Sequence, residues 1–159
     1  MKFQNAFTMI ELIFVIIVIG ILAAIAIPKV GSSMEQAQIA SAKADVMALR
    51  SSILNERQKR LMRGQNNFIA TLSTGGTGDG QALFDGDGTN TLFAYPKISK
   101  NTSGKWVRGG TMATGGTEAY TFTVDSTPVV FTYFQNNGTF TCNRNATGDA
   151  GTYCKAITE

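Results

Sequence analysis

The chain has no histidine, a single tryptophan and only two cysteines among its 159 residues. Without histidine it lacks the commonest general base and metal ligand. The two cysteines, Cys142 and Cys154, are too far apart for a redox pair, and no nucleophile and base stand together in the sequence. An enzymatic reading is therefore the weakest. Charge is also thin: 14 Lys and Arg against 11 Asp and Glu leave a net +3, which by itself calls for neither nucleic acid nor an acidic partner. Charge is missing altogether from Leu12 to Ile27, sixteen mostly aliphatic residues in a row.

That run belongs to a longer stretch, Phe7 to Pro28, with one charge, Glu11, near its start. The 21 residues from Phe7 to Ile27 reach about 31 Å as a helix, enough to span a bilayer. Lys2 in the short polar leader 1–6 favours a cytoplasmic N-terminus. An ordinary secretory signal discards its apolar core, whereas a cut after the small residue Ala6 leaves that core on the mature chain and creates a new amine on Phe7. Gly20 and Pro28 are the weak points of this helix, and Pro28 is expected to loosen it just before that position.

Residues 29–63 read as a continuation of different character. Ile39, Ala42, Val46, Leu49 and Ile53 recur at spacings of three and four and share one face, while Lys43, Asp45, Arg50 and Glu56 fall largely elsewhere. Gly64 is the expected stop. The cations Arg57, Lys59, Arg60 and Arg63 cluster before it. They read either as a solvated helix end that complements the dipole or as a patch for nucleic acid or an acidic partner. Residues 64–91, with GGTGDGQ and DGDGTN, read as a long glycine-rich loop without the strand-to-helix setting of a phosphate-binding turn. From Leu92 the pattern turns to strands: LFAYP and KWVR as short candidates, then 119–124 with Tyr120, Phe122 and Val124 on one side, a run from Pro128 to Phe134, a turn at Asn136 to Gly138, and GTFTC. The expected fold is α+β, with a long N-terminal helix packed on a small antiparallel meander. Its parts are 1–6 leader, 7–28 membrane helix, 29–63 amphipathic helix and 64–159 globular head. An export segment with one cysteine pair points to an oxidising compartment and a Cys142–Cys154 disulfide, worth about 3 kcal/mol. The bridge would fasten 143–159 as a tail to the last strand.

The segment A-FTMIELIFVIIVIGILAAIAIPK resembles the N-terminus of type IV pilins and of type II secretion pseudopilins, over about 25 residues. The head, with GKWVR, YTFTV, FTYF and GTFTC, is similar to pilin-like proteins of epsilonproteobacterial type. The resemblance implies cleavage by a prepilin peptidase between Ala6 and Phe7, N-methylation of Phe7, and assembly roles for Glu11 and Thr8. Gly20 and Pro28 would bound the part of the helix that melts in filaments. The usual residue before the cut is Gly, and Ala6 departs from it. The implied partners are further copies of the chain, related pilin-like subunits, the peptidase and an inner-membrane assembly platform. The implied location is the bacterial inner membrane, then a periplasmic or extracellular filament. The chain would be a structural subunit of a type IV pilus or a type II secretion pseudopilus. The alternative is a minor pilin-like subunit that binds DNA in an uptake system.

Smaller signals remain. No cofactor is expected. Asp85 and Asp87 fit the first two ligand positions of a calcium loop, but the twelfth falls on Pro96, and a plain Asp-Gly turn competes with that reading. Asn101, Asn137 and Asn145 open N-x-S/T sequons in a chain rich in Asn and Thr. Trp106, at a strand-like position, is expected in the core.

Overall fold

The computed structural model describes residues 7–109, 116 and 118–159, without the side chains of 26–30 and 32. Leader residues 1–6, Ala6 among them, lie outside the described residues. The chain divides into two units, residues 1–36 and residues 37–159.

Helix α1 (Met9–Met62) begins in the first unit and ends in the second. Thr8 caps it: its hydroxyl oxygen accepts from Glu11 N at 3.3 Å, and its carbonyl accepts the first helical hydrogen bond, from Leu12 N at 3.2 Å. The helix runs continuously through Gly20 and Pro28. A proline removes one hydrogen bond, and in a long cooperative helix the turns on either side carry it through. Among the described residues no helix is long and apolar enough to cross a membrane.

In the second unit, α1 contributes Ala42, Val46, Leu49 and Ile53 to the core, with Ile39 packed at its margin. The buried stripe does not end there. It continues at the same spacing through Glu56 and Arg60, 2% and 7% exposed. Sequence patterning placed Glu56 off this face, because a carboxylate reads as solvated unless its partner is known. The helix closes on Gly64, at φ 76°. Gly64 N donates to Leu61 O at 2.9 Å and Gln65 N to Arg60 O at 2.9 Å, the paired bonds of a glycine C-terminal cap.

The sheet is an antiparallel meander of four strands: β3 (Trp106–Arg108), β4 (Glu118–Val124), β5 (Thr127–Phe134) and β6 (Thr139–Cys142). Tyr120 pairs with Phe131, and Phe131 with Cys142. Tyr120, Phe122 and Val124 are buried and Thr121 and Thr123 are not, so the period of two is realised. Phe84, Trp106, Phe122, Phe131 and Phe140 form a connected aromatic cluster against the buried face of α1. Trp106 is part of this core, and its Nε1 donates to Asp45 of α1 at 3.0 Å.

Three local expectations are corrected. The stretch expected to be loop to residue 91 contains β1 (Ala82–Leu83), which pairs with β2 (Lys97–Ile98). The LFAYP stretch is not a strand; its neighbour β2 is. Pairing partners separated by a dozen residues leave no hairpin signature, which is why two-residue strands escape pattern reading. Finally, 143–159 is not a plain tail but carries helix α2 (Asp149–Thr158). Its Gly151, Cys154 and Ile157, three apart, are buried, and Cys154 is bonded to Cys142. The disulfide thus pins the inner face of an amphipathic helix to the last strand.

Candidate functional site

Phe7 and Thr8 precede the first helical residue, and Glu11 stands in the first turn. Thr8-Met9-Ile10-Glu11 has the spacing of a capping box, Thr at the cap and Glu three residues on. A carboxylate there complements the partial positive charge of the helix N-terminus. The structure therefore gives Thr8 and Glu11 a local task besides any role between subunits. Within the first unit the described apolar side chains are uncovered: Phe7 is 79% exposed, and Phe14, Ile19, Leu22 and Ile25 are similarly bare. An apolar surface of this extent needs lipid or protein to cover it.

The helix-end cations are not a free patch. Arg60 is buried; its Nε donates to Glu56 Oε1 at 3.0 Å and its Nη2 to Asp87 Oδ2 at 2.6 Å. Arg63 donates to Glu56 Oε1 and to Asn90 Oδ1, each at 3.2 Å. The Arg57 guanidinium lies 4.8 Å over the Phe68 ring and donates to Gln65 O and Asn66 Oδ1. Arg57 and Lys59 have no ion pair among the described residues, but Arg57 is held by these neutral partners. Three of the four candidate nucleic-acid contacts are thus committed to holding the loop after α1. Their partners lie 27 residues downstream of Arg60 and Arg63, a separation that no local reading exposes.

The two calcium candidates are likewise engaged by protein donors. Asp85 accepts from Thr74 N at 2.9 Å and from the Thr74 hydroxyl. Asp87 accepts from Asn90 N at 2.8 Å, Thr89 N at 3.1 Å and Arg60. The carboxylates serve as turn locks, and among the described residues no three His, Cys, Asp or Glu side chains gather to hold a metal. Another buried carboxylate, Glu118, is tied to the same loop. It accepts from Leu72 N at 2.7 Å, from the Tyr120 hydroxyl at 2.9 Å, and from Thr71 and Arg108. Burial, and then the charge of Glu118, raise the pKa of Tyr120, which keeps its phenol protonated as the donor.

One feature escaped the sequence reading. Met47, Leu54 and Leu61 are exposed at seven-residue intervals on α1, with Met62 beside the last. The heptad spacing was the available signal.

The comparisons with known proteins agree with the N-terminal geometry. The family described as "Prokaryotic N-terminal methylation motif" matches residues 1–27. The chain is 40% identical over 50 residues to the type II secretion system core protein G of Pseudomonas aeruginosa, covering 31% of this chain and 35% of that protein. It is 46% identical over 52 residues to a fimbrial protein of Pseudomonas aeruginosa, covering 33% of this chain and 34% of that one. No solved structure matches. The N-terminus is thus a prepilin-type methylation motif. Over this segment its relatives, a type II secretion system core protein and a fimbrial protein, fit the type IV pilin and pseudopilin family. The chain spans about a third of the length of the curated relatives it matches.

Proposed function

We propose that the chain is a prepilin-like subunit, inserted in the bacterial inner membrane through 7–28 with its N-terminus cytoplasmic. It is then cut between Ala6 and Phe7, N-methylated on Phe7 and polymerised with its own copies and related subunits into a type IV pilus or type II pseudopilus. The peptidase and an inner-membrane assembly platform are its processing partners. The observation that carries the reading is Glu11: the one charge in the stretch from Phe7 to Pro28, at the capped first turn of a helix with bare apolar flanks.

A carboxylate within a bilayer costs about 2.5–3.5 kcal/mol on insertion scales and seeks a partner. The amine that cleavage creates on Phe7 is the nearest cation in sequence. An amine is itself unfavourable at a helix N-terminus, so the two groups offset one another. In a bundle of identical helices, Glu11 of one copy paired with the amine of another would fix axial register, as a buried polar residue does in a coiled coil. The exposed stripe Met47, Leu54 and Leu61 offers a second apolar surface for neighbouring subunits.

The test uses two substitutions. Glu11→Leu should leave the protein inserted and folded but absent from filaments. Glu11→Gln keeps the capping position and removes the charge. Filaments at wild-type levels from Glu11→Gln would sink the pairing argument. Intact mass of the mature protein should show the loss of residues 1–6 and the gain of one methyl group on Phe7.

A further inference from the structure

Beyond α1 the described head exposes only two large apolar side chains, Tyr95 at 90% and Ile98 at 60%. Both lie on the stretch that carries Lys97 and Lys100. Lys97, Ile98, Lys100 and Lys105 share a cleft of about 500 Å³ with Asp45 of α1 and Trp106. The carboxylate of that cleft is already satisfied: Asp45 accepts from Lys97 Nζ at 2.9 Å and from Trp106 Nε1 at 3.0 Å. Lys100 and Lys105 are exposed and enter none of the ion pairs among the described residues. The bare apolar side chains of the head thus stand together with two of its unpaired lysines.

The loop that carries both lysines is fixed. Lys100 N donates to Trp106 O at 2.9 Å and Gly104 N to Thr123 O at 2.7 Å. Asn101 N donates to Asp79 Oδ1 at 2.7 Å. The Ser103 hydroxyl donates to Gln38 Oε1 at 3.1 Å, which ties the loop to α1 at a point ten residues past Pro28. Ten helical residues reach about 15 Å. Gln38 therefore lies at most about that far from Pro28, however the two units are set. The polar headgroup layer of a bilayer fills about 5–7 Å of this distance, and the remainder is about one Debye length.

We propose that Lys100 and Lys105, with Tyr95 and Ile98, dock the head on anionic phospholipid headgroups of the membrane that holds the chain's own helix. The proposal rests on the membrane insertion given under the proposed function. Lysine meets a phosphate as a point charge. Tyrosine suits the headgroup level, where its ring is half apolar and its hydroxyl is wet. Apolar side chains flanked by lysines are the pattern of a surface that lies on a bilayer, whereas a soluble anion would make no use of a bare Tyr95 and Ile98. Each lysine near an anionic surface gains about fivefold in affinity. Two such contacts are weak for a free protein, but a head tethered to the same bilayer meets the lipid at high effective concentration. The inserted subunit is thereby held down on the membrane until contacts with neighbouring subunits replace the lipid.

The experiment reconstitutes the full chain in vesicles of phosphatidylcholine alone and of phosphatidylcholine and phosphatidylglycerol in equal parts. A short pulse of acetic anhydride, which is uncharged, acylates exposed lysines, and mass spectrometry reads the rate at each. Lys100 and Lys105 should react about fivefold more slowly in the anionic vesicles, with Lys59 and Lys155 unchanged as internal references. High salt should remove the difference. Tyr95→Ser/Ile98→Ser should bring both lysines most of the way back to their rates in neutral vesicles. Inorganic phosphate added to the neutral vesicles should protect neither lysine, and equal protection by it would overturn the proposal in favour of a soluble anion. Insertion is read beforehand as resistance to alkaline extraction. A chain that does not insert would overturn the membrane reading and this proposal with it. An inserted chain whose Lys100 and Lys105 react alike in both vesicles would overturn this proposal alone.

Discussion

The guanidinium Nε of Arg60 lies 3.0 Å from Oε1 of Glu56, one helical turn away, with both side chains buried against the head. The pair extends the apolar stripe of α1 by two further positions and ends it on a charge that also grips Asp87. A buried ion pair is costly to break from one side; without Arg60, Glu56 would keep only the half-exposed Arg63 at 3.2 Å, and Asp87 would lose its cation.

Arg60→Met should therefore destabilise the chain by about 3 kcal/mol or more. The double variant Glu56→Met/Arg60→Met should lose less than the sum of the two single changes. Urea midpoints of the four proteins form the cycle, and strict additivity would show that the pair is not coupled.

Asp87 should make stability acid-sensitive. Burial alone would raise its pKa, but hydrogen bonds from Asn90, Thr89 and Arg60 outweigh burial and hold it below the ordinary value. The unfolded chain, with an ordinary Asp near pH ~3.9, then takes up the proton first as pH falls. The stabilisation from Asp87 is complete above about pH 4 and is lost as pH drops through the folded-state value. Asp87→Asn should be less stable than wild type at neutral pH, and the gap should narrow below about pH 4. A constant gap from pH 7 to pH 2 would contradict this.

Ser99 presents the opposite case. Its hydroxyl is buried and, among the described residues, has no hydrogen-bond partner. Ser99→Ala removes that cost and leaves no larger cavity. It should be neutral or stabilising, by about 1 kcal/mol. A loss of stability on thermal unfolding would show that the hydroxyl has a partner after all.

Reducing the Cys142–Cys154 bridge should lower stability by about 3 kcal/mol. Amide exchange should accelerate first in α2, whose hold on β5 and β6 runs through Cys154 and Ile157. Uniform acceleration across β4 and β5 would mean that the bridge supports the whole sheet equally.

These predictions also mark where the sequence was legible. The apolar run, the stripe from Ala42 to Ile53, the glycine stop at Gly64 and the alternation of β4 are periodic or local, and each could be read directly. So could the motif around Glu11, whose residues are contiguous. What resisted reading depends on partners distant in sequence. Arg60 looked like a free surface cation until Asp87 was brought to it, and the donors that Thr74 and Asn90 give to Asp85 and Asp87 could not be read from the DGDG stretch alone. Lys97 of β2 likewise meets Asp45 of α1, at 2.9 Å, only because folding around Trp106 brings that strand to the helix.

Trp106 is the chain's one tryptophan, and it sits where α1 meets the sheet. Indole emission from this protein consequently has a single address. Its wavelength reports whether the sheet remains seated on α1, and its accessibility to a soluble quencher reports local opening there, so folding of the head can be followed on the unlabelled subunit in one cuvette.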